Sequence, residues 1–220
     1  TADVKSPCLN YATSIKETDM KKILVWDLPV RRGHWLMAGG FILAWATGDS
    51  ESLRLVHVFA GSTVMAVAAY RLLWGIVGSR YARFAEFVRG PRQAVGYLKS
   101  LLRQRPPHCA GHNPAAGWAI VLLLALALAS GASGWLTYQE MGGEWLEEVH
   151  EFLTGLMLAV GGGRLLGVLV GSLAHRENLV WAMVTGRKQG QPDEAIHGQR
   201  VVAALMLLGW SAAGAWWLAR

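Results

Sequence analysis

The chain has 220 residues, 53% of them hydrophobic and 16% charged, with a formal net charge of +6. A water-soluble domain carries about 25% charged residues over its surface, whereas here the charges are bunched between long apolar runs, which excludes a soluble domain and indicates a membrane protein. The positive balance is therefore a signal about loops and not about nucleic acid, and Cys8 and Cys109, far apart in polar segments, offer neither a disulfide framework nor a metal spacing.

Residues 1–19 are polar and lack the apolar stretch of a signal peptide, and Met20 is a more natural start, so residues 1–22 read as a polar tail. Five apolar segments follow, at 32–48, 53–77, 115–137, 145–174 and 201–219, against the roughly 20 residues that a helix needs to cross a bilayer. The first is short unless it begins near Trp26, and Pro29 suits a helix start but not an interior. The expected fold is all-α and integral to the membrane: a four-helix transmembrane bundle within 23–190, then a linker and one additional C-terminal transmembrane helix within 191–220.

The loops alternate in charge. Lys21, Lys22, Arg31 and Arg32 precede the first span, and 79–113 holds Arg80, Arg83, Arg89, Arg92, Lys99, Arg103 and Arg105. The segment 138–148 is acidic, with Glu140, Glu144, Glu147 and Glu148, and the stretch after the fourth span is basic again, with Arg176, Arg187 and Lys188. Cytoplasmic loops of membrane proteins collect Lys and Arg, so the N-terminus is expected in the cytoplasm and the C-terminus outside.

Ionisable residues inside a span are costly, and by default they read as functional. His57 lies near the outer end of the second span and His150 near the outer end of the fourth, so the two share a level. Neutral imidazoles facing each other across a bundle can coordinate a haem iron, and Gly61, one turn below His57, leaves room for a flat macrocycle. Arg71 follows His57 by fourteen residues, and Arg164 follows His150 by fourteen. That is nearly four helical turns, about 21 Å along the axis on nearly the same face. Both arginines thus project toward the level of His34, near the inner end of the first span. Arginine has no lone pair for a metal but can clamp a carboxylate such as a haem propionate. The pattern reads as a complete outer haem site and an incomplete inner one. Rival readings stand beside it: His34 as an interfacial residue, Arg71 snorkelling to the interface, and Gly163, Gly167 and Gly171 as helix-packing positions. His108, His112 and His197 fall in polar loops and are expected to have no catalytic role.

The stretches "RRGHW", "LVHVFAG", "YRLLWGIVGSRYARF", "GHNPAAGW", "VHEFL" and "HRENLVWAMVTGRK" together resemble the bacterial cytochrome b561 family, which includes the b-type cytochrome subunits of nickel-iron hydrogenases. The resemblance runs in order from about residue 24 to 188. It implies a four-helix bundle with two b haems held by four histidines, one each on spans one and two and two on span four spaced by fourteen. Carried over, His34, His57 and His150 match the first three as iron ligands. Arg164 stands at the fourth, within the run "GGGRLLG". The inner haem is then five-coordinate on His34 or absent, or the sequence is locally altered there. His175 falls too far down the axis to replace the missing ligand.

The resemblance implies a b-type cytochrome of the bacterial inner membrane, passing electrons between a partner redox protein or small donor and quinone. The partner would be a periplasmic or membrane one, such as a c-type cytochrome or a dehydrogenase. Whether such a chain is a quinone-linked oxidoreductase subunit in its own right stays open. The alternative is a membrane anchor that docks a partner dehydrogenase with degenerate haem binding. Membrane lipid is the other expected contact, and nucleic acid is not expected.

Overall fold

The computed structural model describes residues 21–102, 109, 111–175 and 177–220. The chain enters through a short strand, β1 (Lys21–Leu24), antiparallel to β2 (Arg187–Gly190), with Lys21 opposite Gly190 and Leu24 opposite Arg187. The ribbon draws Lys21 and Lys22, assigned from the sequence to the tail, into the fold. Gly186, in the left-handed conformation with φ 80°, ends the helix before β2, and its carbonyl accepts from Val25 N–H at 2.8 Å and Trp26 N–H at 3.0 Å. A side chain at this φ would be strained.

Five long helices follow one another up and down. They are α1 (Leu28–Thr47), α2 (Arg54–Val77), α5 (Pro114–Tyr138), α6 (Glu144–His175) and α8 (Val201–Leu218). Between α2 and α5 lie α3 (Phe84–Phe87) and α4 (Pro91–Leu102), and α7 (Leu179–Thr185) follows α6. The long helices fall close to the five apolar segments of the sequence. By length and composition, four helical segments can cross a membrane: 51–77, 114–138, 144–174 and 201–218. The first expected span, α1, is not among them, because Arg31, Arg32 and His34 occupy its first two turns.

Helix starts follow from local chemistry. Asp27 is fully buried, and its Oδ1 accepts from Val30 N–H at 2.9 Å, capping α1 ahead of Pro29; the other oxygen accepts from Trp74 Nε1 at 3.0 Å, tying α1 to α2. Asn113 caps α5 through Ala116 N–H at 2.7 Å, with Pro114 in the first turn. The helices α1 and α2 pack closely at Gly40, where a Cβ would lie 2.9 Å from Val64 Cγ2 and 3.3 Å from the Ala60 carbonyl. The C-terminal helix α8, unassigned in the sequence reading, packs on α2 and α1. Trp210 Nε1 donates to the Ala66 carbonyl at 2.8 Å, and Tyr70 donates to the Ala203 carbonyl at 2.7 Å. The helix α6 packs on α5 and α7 and leaves its other faces largely open.

Candidate haem-binding site

At the acidic end of the bundle, α2 contributes His57 from its first turn and α6 contributes His150 from its second. Their ring centroids are 6.0 Å apart and the ring planes are inclined at 74°. Each ring is oriented by a backbone carbonyl of a neighbouring helix. His57 Nδ1 lies 2.8 Å from the Ala44 carbonyl in the last turn of α1, which also accepts from Thr47 Oγ1 at 3.2 Å. His150 Nδ1 lies 2.9 Å from the Ser130 carbonyl of α5. A carbonyl only accepts, so both Nδ1 atoms carry the proton and both Nε2 atoms keep a lone pair. Glycine makes room for one ring: a Cβ at Gly134 would lie 2.7 Å from His150 Cε1. The space beside Gly61 and Gly155 is open.

Among the described residues no three His, Cys, Asp or Glu converge on a point. Two imidazoles with free Nε2 atoms and no third ligand suit a group that brings its own in-plane donors, as haem does. Two imidazoles bound on opposite sides of one metal at about 2.0 Å each hold their centroids roughly 6 Å apart, which is the separation found.

The basic end gathers a different set. Arg71 of α2 is buried at 9% exposure, with its guanidinium carbon 5.2 Å above the Phe84 ring, and its Nη1 is enclosed without a hydrogen-bond partner. His34 of α1 packs edge-on against Trp35, with centroids 5.1 Å apart, and lies within electrostatic reach of Arg164 of α6. The three residues expected at the inner level lie toward the basic ends of α1, α2 and α6. The side chain of His175 lies outside the described residues, as does His108, while His197 is exposed.

One residue of this end escaped the sequence reading. His112, assigned there to an idle loop, is held between Trp26 and Phe87, at centroid distances of 4.4 and 4.8 Å. Its Nδ1 is enclosed and unpartnered. Burial pushes its pKa well below the ordinary value, and Arg164, Arg71, Lys188 and His34 push in the same direction. The signal was the motif "GHNPAAGW" itself. Gly111 lies against Tyr81, where a Cβ would be 2.6 Å from Cδ1, and Gly117 lets the Phe87 carbonyl pass, 2.7 Å from where a Cβ would stand. Trp118 Nε1 donates to the Arg89 carbonyl at 2.7 Å. The motif is a clamp that fixes His112. Lys188, 7% exposed, donates from Nζ to the Cys109 carbonyl at 2.9 Å, and burial lowers its pKa while Glu177 and Glu194 act in the opposite sense. His112, Arg164 and Lys188 line a cavity of about 340 Å³ together with Trp26, Gly163 and Gly167.

The family model described as prokaryotic cytochrome b561 matches residues 25–186. The chain is 28% identical to the probable Ni/Fe-hydrogenase B-type cytochrome subunit of Rhizobium leguminosarum bv. viciae, over 58% of this chain and 64% of that one. It is 30% identical to the probable Ni/Fe-hydrogenase 1 B-type cytochrome subunit of Escherichia coli (strain K12), over 53% of this chain and 60% of that one. The chain thus spans somewhat under two thirds of the length of these curated relatives. No solved structure matches it.

Proposed function

This chain belongs to the prokaryotic cytochrome b561 family, and from that premise we propose that it is a b-type cytochrome that carries electrons through the bacterial inner membrane, between a partner redox protein and quinone. The His57–His150 pair carries this reading: two imidazoles at haem-spanning separation, each with Nδ1 on a carbonyl and Nε2 free. Bound there, haem b supplies a one-electron couple. The chain's own residues hold and orient it. The carbonyls of Ala44 and Ser130 fix the tautomers and raise the basicity of the ligands, Gly134 admits the His150 ring, and the open flank of α6 gives access from the side.

At the other end, Arg71 and Arg164 are fixed cations for the carboxylates of a haem seated on His34. Fixed positive charge stabilises the reduced, less positive iron and raises its potential. α1 is read as a span alongside the other four, since it lies against α2 from Gly33, beside Val67, to Ala44, beside His57. The basic end, with Arg80, Arg83 and Lys188, faces the cytoplasm. The relatives' association with hydrogenases supports a membrane-docked redox enzyme as the electron partner.

The visible and electron-paramagnetic-resonance spectra of the purified chain test the reading. A low-spin b-type signal is expected, and it should vanish in both His57→Ala and His150→Ala. The same signal in both variants would sink the ligand assignment. A chain without haem would leave the anchor alternative, which the Arg164 departure favours.

A further inference from the structure

Resting on the reading that His57 and His150 ligate a haem b, we propose that Thr47 and Ser133 are positioning residues that set how strongly these two ligands donate to iron, acting through the carbonyls that orient them. Each orienting carbonyl has a second donor. The Ala44 carbonyl accepts from His57 Nδ1 at 2.8 Å and from Thr47 Oγ1 at 3.2 Å. The Ser130 carbonyl accepts from His150 Nδ1 at 2.9 Å and from Ser133 Oγ at 3.1 Å. In both cases the hydroxyl belongs to the residue three positions after the carbonyl, on the same helix. Ser and Thr hydroxyls in helices often bond a carbonyl one turn back, and such a bond is ordinarily a local matter. Here the arrangement occurs on two helices, and each time the carbonyl is the one that meets a ligand ring.

A carbonyl oxygen shares its electron density among its donors. A hydroxyl that draws on it weakens its hold on the imidazole N–H. A histidine whose Nδ1–H is held less strongly donates less from Nε2, and a weaker donor stabilises the oxidised iron less. The two hydroxyls therefore hold the potential of the haem up. Both side chains are buried, at 5% exposure for Thr47 and 6% for Ser133, so water does not replace a hydroxyl that is removed.

The two hydroxyls are not equal. Thr47 Oγ1 also donates to the Leu43 carbonyl at 2.7 Å, so its proton is shared between two oxygens and only part of its pull falls on Ala44. Among the described residues, Ser133 donates to the Ser130 carbonyl alone. Ser133 Oγ also stands 3.4 Å from His150 Nδ1, beyond the ordinary length of a hydrogen bond, so its main action is on the carbonyl. Ser133 is the stronger of the pair.

The test is the midpoint potential of the low-spin haem in the purified full-length chain, read by redox titration beside haem content and spin state. Ser133→Ala and Thr47→Val remove the hydroxyls. Each is expected to keep a low-spin haem and to lower the midpoint potential, Ser133→Ala by the larger shift and the double variant by more than either. Thr47→Ser keeps a hydroxyl at the same place and should have the parent potential. Thr63→Val is the control. Thr63 Oγ1 donates to the Phe59 carbonyl at 2.8 Å in the same way, but that carbonyl orients neither ligand, so the potential should not move. An unchanged or raised potential in Ser133→Ala overturns the proposal, as does an equal shift in Thr63→Val. Loss of haem in both Ser133→Ala and Thr47→Val gives the two side chains a structural role and overturns it too; if only Thr47→Val loses haem, Ser133→Ala decides. A parent chain without haem, or a low-spin signal that survives in both His57→Ala and His150→Ala, overturns instead the ligand reading beneath, and does so before any potential is compared.

Discussion

At the scale of single residues, the outer pair was legible because depth is legible. Counting from the ends of two apolar runs puts His57 and His150 at one level, since every helical residue advances a fixed 1.5 Å. Counting could not supply the carbonyls that orient the rings, because Ala44 and Ser130 sit on other helices. Gly134 likewise has meaning only against His150. Gly134→Ala should push that ring off the Ser130 carbonyl and convert part of the outer haem from low to high spin, at a cost of about 1–3 kcal/mol in stability from overpacking; a spectral titration with thermal denaturation reads both. His112 is the opposite case. Its neighbours Trp26 and Phe87 come from distant parts of the chain, so polar flanks in sequence concealed its packing between two aromatic rings.

Among the elements, the long helices were predictable to within a few residues, because the bilayer imposes a length and an apolar composition that a sequence must display. The short ones were not. β1, β2, α3 and α7 span at most seven residues each, too few for a periodic signal, and they are held by contacts such as the donation from Ile196 N–H to the Leu24 carbonyl at 2.9 Å. The packing of α8 is also a tertiary fact. A Cβ at Gly214 would lie 2.8 Å from Ala66 Cβ, so Gly214→Leu should prise α8 from α2. The expected outcome is a lower melting temperature with the His57–His150 spectrum retained below it. A melting temperature equal to that of the parent would mean that α8 does not buttress α2. Gly40→Leu, which separates α1 from α2 and carries the Ala44 carbonyl away from His57, should both destabilise the chain and weaken the outer haem signal.

For the molecule as a whole, the orientation rests on charge. Arg31, Arg80, Arg83, Arg89 and Lys188 belong to one end, and Glu51, Glu140, Glu144 and Glu147 to the other. Anionic lipid and the insertion machinery keep clustered Lys and Arg on the cytoplasmic side. A reporter active only in the periplasm should be silent when fused at Gly90 and active when fused at Arg220. Activity at both positions, or silence at both, would remove α8 from the set of spans.

The sequence by itself determined the membrane class, the long helices and the resemblance that the family model bears out. All of these follow from properties that accumulate along the chain: hydropathy, rise per residue and motif order. Only the tertiary structure decided which carbonyls orient His57 and His150, where α8 packs, and that His112 lies between Trp26 and Phe87 on a cavity shared with Arg164. The physical reason is that the bilayer acts on each helix separately and so writes itself into local sequence, whereas a side chain's partners across the bundle depend on how helices distant in sequence pack against one another.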